Sequence, residues 1–255
     1  MKVVILAGGL GTRISEETKT KPKPMVKIGN MPIIWHIMKR YSDYGMNDFI
    51  ICCGYKSNIL KEFFLKLLLK KFDSKIINEN VIKIKAEISE PWNVTLVDTG
   101  LNSMTGGRLK RIKEHVKDET FCFTYGDTLN DLNINSLIEF HKKNKTLATV
   151  TACIPPEKYG ELDIKNEKVI DFKEKKKSEK NWVNGGFFVL EPNIFDHIKN
   201  DKTIWEKHPM EKLVKMNQLV AYRHKGFYQP MDTMSDKKIL DGMWKRKNAP
   251  WKVWK

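Results

Sequence analysis

The first residues narrow the possible folds more than anything that follows. Lys2-Val3-Val4-Ile5 is a short apolar run that leads directly into Leu6-Ala7-Gly8-Gly9-Leu10-Gly11-Thr12-Arg13, and Lys23-Pro24-Met25 follows ten residues after the arginine. A run this short and apolar reads as a buried first strand. Three glycines within four residues at its end let the backbone take left-handed conformations and present bare N–H groups to an anion. With Arg13 and Lys23 supplying positive charge, the segment reads as a cradle for a triphosphate. Other glycine motifs fit poorly. A dinucleotide fingerprint needs G-x-G-x-x-G and an acidic residue about twenty positions on, whereas Gly9-Leu10-Gly11 leads to Thr12, Arg13 and Ile14, with basic Lys21, Lys23 and Lys27 downstream. No glycine precedes Lys and then Ser or Thr, as a P-loop requires.

Behind this loop, strand-like and helical runs alternate. Strands are predicted at 2–7, 47–53, 93–98, 119–125 and 146–153, and helices at 32–43, 57–71, 105–116 and 133–144. That order gives an α/β fold, a Rossmann-like, doubly wound, mostly parallel sheet with flanking helices. Ligands bind such sheets beyond the carboxyl ends of the strands, where the glycine loop and Asp127, after Phe121-Cys122-Phe123-Thr124-Tyr125, would lie. Between 73 and 92 the pattern turns irregular, and alternation in Val81-Ile82-Lys83-Ile84-Lys85 predicts an inserted hairpin. After 154, short strands at 169–172, 183–190 and 219–222 predict a smaller β subregion, with helices at 207–216 and 234–246. No Gly-, Ser- or Pro-rich linker divides the chain, so 1–255 reads as a single domain, with a nucleotide-binding half at 1–153 and a second half at 154–255.

Charge raises a competing possibility. The formal net charge is +15, which suits a nucleic-acid-binding protein. Yet the lysines are dispersed, apart from Lys173 to Lys180, and no helix-turn-helix, zinc or RNA-binding signature accompanies them. A lysine-rich solvated surface explains them more economically, and no nucleic-acid partner is expected. No membrane association is expected either: the best apolar run, Phe63 to Phe72, is broken by Lys66, Lys70 and Lys71, and a bilayer needs about 20 apolar residues. The N-terminal apolar stretch also lacks a signal-peptide layout, so the expected location is cytoplasmic. Cys52, Cys53, Cys122 and Cys153 form no C-x-x-C pair; Cys52 and Cys53 would point to opposite faces of a strand, which suits reduced core thiols. The six histidines make no H-E-x-x-H pair, which argues against zinc chemistry.

The pattern Gly-Gly-x-Gly-Thr-Arg with a downstream Lys-Pro resembles the signature of the sugar-1-phosphate nucleotidylyltransferases, and the resemblance continues along nearly the whole chain. It includes Lys21-Pro22-Lys23-Pro24-Met25-Val26, Met104-Thr105-Gly106-Gly107-Arg108, Tyr125-Gly126-Asp127 and Asn184-Gly185-Gly186-Phe187-Phe188. Ser15-Glu16-Glu17-Thr18, Glu90-Pro91-Trp92-Asn93 and Met231-Asp232-Thr233 resemble the cytidylyl branch of that family. The resemblance implies transfer of a cytidylyl group from CTP to α-D-glucose 1-phosphate, giving CDP-glucose and pyrophosphate, a precursor step for deoxysugars of surface polysaccharide such as O-antigen. A close alternative uses UTP, dTTP or another sugar 1-phosphate; a nucleic-acid-binding or inactive regulatory relative is the third reading.

By that resemblance Arg13 and Lys23 are catalytic cations, Asp127 and Asp232 hold Mg²⁺, and the partners are CTP and a sugar 1-phosphate. The backbone of Leu6, Ala7, Gly8, Gly9, Leu10, Gly11 and Thr12, with Ser103, Thr105 and Arg108, receives the nucleotide. Lys175 and Asn184 receive the sugar phosphate, which makes the second half the sugar-binding one. An aspartate after a strand is, taken alone, as often a cap or turn residue; Asp98, Asp131 and Asp163 keep that reading. Two departures stand out: Glu174-Lys175-Lys176-Lys177 where the family continues Glu-Lys-Pro, and Thr128-Leu129-Asn130 where it has glycine and small residues. The resemblance also implies a homo-oligomer. Candidate contacts are the stripe Ile59, Leu60, Phe63, Phe64, Leu67 and Leu68, and the C-terminal Trp244, Trp251 and Trp254.

Overall fold

A computed structural model describes residues 1–68, 73–78, 80–85, 90–156, 161–165, 167–173 and 182–254. Strand β1 (Val3–Leu6) runs into the glycine loop, which ends in a 3₁₀ turn at Thr12–Ile14 and the short helix α1 (Ser15–Thr18). A second 3₁₀ turn at Lys23–Met25 precedes the small hairpin β2 (Lys27–Ile28) and β3 (Met31–Pro32), and helix α2 (Ile33–Asp43) follows. Next come β4 (Asp48–Cys53), α3 (Ser57–Leu68), the hairpin β5 (Asp73–Asn78) and β6 (Val81–Lys85), and β7 (Asn93–Asp98). The helix expected over 105–116 is broken into α4 (Thr105–Arg111) and α5 (Lys113–Val116), because Ile112 leaves helical geometry where it enters the core.

Strands β8 (Phe121–Tyr125) and β9 (Thr128–Asn130), helix α6 (Ile134–Asn144) and β10 (Ala148–Cys153) complete the first half. The second half holds the hairpin β11 (Glu161–Lys165) and β12 (Lys168–Lys173), then β13 (Val183–Leu190), α7 (His208–Lys215), β14 (Leu219–His224), β15 (Tyr228–Pro230) and α8 (Met234–Lys245).

Among the described residues the central sheet has nine strands in the order β14-β10-β13-β8-β1-β4-β7-β6-β5. Only β13 and β6 run against the others, so the sheet is mixed but mostly parallel. Helices cover both faces, and successive side chains divide between two cores. Val3, Ile5, Ile51, Cys53 and Leu96 pack on one side, and Val4, Ile50, Cys52 and Phe123 on the other. That two-sided burial is why these strands read as unbroken apolar runs, and it places Cys52 and Cys53 on opposite faces as expected. All four cysteines are buried and free.

The inserted hairpin is present and extends the sheet edge through β7. The smaller sheet differs from expectation. Strands at 183–190 and 219–222 belong to the central sheet, β13 between β8 and β10, with the two-stranded pairs β11-β12 and β15-β9 left apart from it. The reason lies in β13 itself: its last six residues are all buried, which an edge on a small sheet could not provide.

Both apolar regions considered for subunit contacts are used within the chain. On α3, Leu60 and Phe64 are fully buried and Ile59, Phe63 and Leu67 pack against the same core. Trp251 and Trp254 are buried, and with Trp244 they surround His36 and Trp35 at ring-centroid distances of 4.6 to 6.2 Å.

Candidate active site

A cleft of about 580 Å³ opens beyond the carboxyl ends of β1 and β8. Every sequence-predicted site residue that the structure describes lines it except Gly8 and Leu10. Lys175, with Lys176 and Lys177, lies outside the described residues.

The glycines of the loop have separate duties. Gly11 takes a left-handed conformation (φ 67°), and a Cβ there would also press on Thr18 Cγ2 at 2.8 Å. Thr18 in turn donates its hydroxyl to the Gly11 carbonyl, closing the loop onto α1. Gly8 and Gly54 leave room for the Arg108 guanidinium, whose Nη1 a Cβ on either would strike. Gly9 faces open space. Leu10 turns outward, 53% exposed.

Arg108 was expected to meet the nucleotide, and its guanidinium is spent elsewhere. It donates to the carbonyls of Gly8 (2.9 Å), Gly100 (2.8 Å), Leu101 (3.2 Å) and Cys53 (3.2 Å) and to the Thr99 hydroxyl (2.8 Å). A buried guanidinium with this many oxygen partners holds three loops in one geometry, since losing any partner would strand a buried donor. Arg108 is therefore the strap of the glycine loop.

The cations and carboxylates converge as a single cluster. Lys23 Nζ lies 2.7 Å from both Asp127 Oδ2 and Asp232 Oδ1, and Arg13 Nη1 lies 2.7 Å from Asp232 Oδ2. The Lys23 side chain is only 9% exposed and that of Arg13 71%. Burial alone would pull the Lys23 pKa down, but the charges and hydrogen bonds of Asp127 and Asp232 outweigh it and the pKa is raised. The ammonium thus stays charged inside the protein.

Two aspartates about a hundred residues apart meet because β9, directly after Asp127, pairs antiparallel with β15, just before Asp232. Thr128-Leu129-Asn130 forms β9 itself, and all three residues are buried. The Met231 N–H donates to the Asp127 carbonyl at 2.9 Å, tying the two carriers directly. On the far side, Asp236 accepts from the backbone N–H of Asp232 (3.1 Å) and Thr233 (2.8 Å), and Thr233 completes the capping box of α8. Helix α8 thereby fixes the backbone that carries Asp232.

A third group was missed by the sequence reading. Glu206 accepts from the Tyr125 hydroxyl at 2.5 Å and the Thr105 hydroxyl at 2.6 Å, and Asn184 Nδ2 donates to the Tyr125 oxygen at 3.3 Å. Burial first, then the charge of Glu206, drives the Tyr125 pKa far up, so the phenol remains a donor. Ser103 and Thr105 lie at the start of α4 near this group, and all of it lines the cleft. The cleft therefore has one end where Arg13 and Lys23 meet Asp127 and Asp232 and another rich in hydroxyl, amide and carboxylate groups.

A family model described as nucleotidyl transferase matches residues 2–245. Over the full length of both chains, this chain is 55% identical to glucose-1-phosphate cytidylyltransferase of Salmonella typhimurium and 40% identical to the probable glucose-1-phosphate cytidylyltransferase of Bacillus subtilis. Among solved structures, HddC from Yersinia pseudotuberculosis superposes with a TM-score of 0.70 at 23% identity, covering 95% of this chain and 99% of that one. UDP-glucose pyrophosphorylase complexed with UDP-glucose gives 0.70 at 20% identity, covering 96% and 98%. At those identities the solved structures show the shared fold.

Proposed function

The chain belongs to the nucleotidyl transferase family, and from that premise we propose that it transfers the cytidylyl group of CTP to α-D-glucose 1-phosphate, giving CDP-glucose and pyrophosphate. The observation that carries the choice of substrates is the 55% identity over the whole of both chains. The cleft supports it with cations where phosphates would lie and hydrogen-bonding groups where a sugar would.

A phosphate monoester has a second pKa near 6, so the sugar phosphate brings its own nucleophilic oxygen and no general base is needed. That oxygen forms a bond to the α-phosphorus while the bond to the α,β-bridging oxygen breaks, and the electron pair leaves on pyrophosphate. Catalysis then consists of positioning and charge neutralisation. Arg13 offers a rigid fork of donors suited to phosphate oxygens and serves the α-phosphate and the departing pyrophosphate. Lys23 supplies the second cation. The glycine loop, strapped by Arg108, holds the nucleotide; Asn184, Tyr125 and Glu206 orient the sugar, and Lys175 meets its phosphate.

Enzymes of this family use a divalent cation, and the residues here fit one. The carboxylates of Asp127 and Asp232 already converge on a single positive charge, the Lys23 ammonium. Two carboxylates completed by phosphate oxygens and water suit Mg²⁺, which would neutralise charge on the triphosphate. Asp127 and Asp232 would hold it, freeing Lys23 for the phosphates. The buried free thiols accord with a reducing, cytoplasmic setting, and the enzyme is read as a homo-oligomer.

The test is pyrophosphate release with CTP, UTP, dTTP and GTP crossed against several sugar 1-phosphates. The pairing of CTP with glucose 1-phosphate should exceed all others. A different best pairing would redirect the substrate assignment, and silence throughout would overturn the enzymatic reading.

A further inference from the structure

A second cavity, of about 810 Å³, shares no lining residue with the cleft. Its walls are the β2–β3 turn, helix α8 and the segment after it, and its charge is lopsided. Lys27, Lys237, Lys245, Lys247 and Lys252 line it against one carboxylate, Asp241. Asp241 is already occupied, accepting from the Gly29 N–H at 2.8 Å and pairing with Lys245 at 2.7 Å. Lys237 is paired with Glu17. Lys27, Lys247 and Lys252 have no carboxylate partner among the described residues. Lysines gathered around a concavity repel one another, a cost that an anion arriving there would remove.

The cavity also has an aromatic wall. Trp244 is held against Gly29, where the left-handed turn (φ 62°) leaves no space for a Cβ. It stacks on Trp251 with 18° between the ring planes and meets His36 edge-on. A rigid, half-exposed indole beside three unpaired ammonium groups matches a ligand that carries both a planar ring and phosphates. The volume lies within the range of about 300–1,000 Å³ usual for small-molecule sites.

We propose that this cavity is a second, non-catalytic site for a phosphorylated nucleoside, with its base against Trp244 and its phosphates on Lys27, Lys247 and Lys252. The site adjoins the catalytic machinery by three covalent or ionic links. Lys27 is four residues beyond Lys23, α8 follows directly from Asp232, and the Lys237–Glu17 pair joins α8 to α1, just after Arg13. Occupancy would brace the segments that carry Lys23 and Asp232.

Equilibrium binding of CDP to the full-length protein tests this, alongside a Lys247→Ala/Lys252→Ala variant. Both residues are exposed and outside the cleft, so folding and basal turnover should be unchanged. The variant should bind one fewer CDP per chain than the wild type, or bind it at least tenfold more weakly. Pyrophosphate alone should occupy the site at least tenfold more weakly than CDP and leave tryptophan fluorescence unaltered, since it lacks the base that would stack on the indole. Identical CDP stoichiometry and affinity in wild type and variant would overturn the proposal. So would pyrophosphate binding as tightly as CDP, or a lysine-dependent preference for single-stranded RNA over CDP.

Discussion

At the scale of single residues, the proposed chemistry rests on the cluster of Lys23, Asp127 and Asp232, whose two carboxylates would do different work from neutral isosteres. An amide keeps the shape and still accepts a hydrogen bond from Lys23, but cannot neutralise a divalent cation. Asp127→Asn and Asp232→Asn should each lower kcat by on the order of 10²-fold or more while the circular-dichroism spectrum stays native. Near-normal turnover at ordinary Mg²⁺ in either variant would remove that residue from the metal site. Arg13→Lys replaces a fork by a point charge, and because Arg13 is mostly exposed the substitution should leave stability alone. A fall of about 10²-fold in kcat/KM is expected; a loss below about threefold would reassign Arg13 to structure.

Most of this cluster was legible because each member falls in a short motif, Gly-Thr-Arg, Lys-Pro, Tyr-Gly-Asp or Met-Asp-Thr. What was not legible is Glu206, whose two partners are 81 and 101 residues away; no local pattern marks it. For Arg108 the sequence shows a cation near a loop but not the carbonyls around it.

At the scale of elements, α8 and α2 explain how the site is held. The Thr233-Met234-Ser235-Asp236 sequence fits the capping-box pattern, and the structure uses it to fix Asp232. Asp236 is 2% exposed, so Asp236→Asn should cost about 1 kcal/mol of stability and also lower kcat. Thermal melts compared with turnover separate the two effects; an unchanged kcat would mean that the cap serves α8 alone.

On α2, His36 is enclosed by the C-terminal indoles. Its Nε2–H donates to the Ile28 carbonyl (3.0 Å) and its Nδ1 accepts from Trp251 (3.4 Å), which fixes a neutral tautomer. Burial lowers its pKa from 6.5 to about 4. The unfolded chain therefore takes up a proton that the folded chain refuses between those values. Stability contributed by neutral His36 is intact above pH 6.5 and declines as pH falls towards 4, by up to about 3 kcal/mol. Urea denaturation at pH 7.5 and 4.5 should show this decline, and His36→Gln, less stable overall, should show a shallower one. A parallel decline in the variant would place the acid sensitivity elsewhere.

At the scale of the whole molecule, local patterns predicted elements better than they predicted partnership. The alternation of apolar and helical runs revealed the doubly wound sheet, yet it suggested a separate small sheet in the second half. Pairing is a long-range property, and β13 resembles any short apolar strand until its burial on both faces is seen. The pairing that matters most is that of β13, which inserts between β8 and β10. A strand of the second half thus lies inside the sheet of the first, and neither half can unfold without opening the other's core.

One cooperative transition is therefore expected for residues 1–255, and the chain carries its own reporters for both halves. All four thiols belong to the first half, on β4, β8 and β10, and burial pushes those of Cys53, Cys122 and Cys153 up to about 12 and that of Cys52 further. They should resist thiol reagents until the sheet opens, because the thiolate is the reactive form. Trp205, Trp251 and Trp254 are buried in the second half and Trp92 in the first, so tryptophan fluorescence follows the whole chain and the thiols follow the first half alone. Thiol labelling and tryptophan fluorescence, followed through the same urea series, should give coincident midpoints, the sign of a two-state unit. Labelling of the cysteines at a distinctly lower or higher denaturant concentration than the fluorescence change would divide the chain into two independently stable halves.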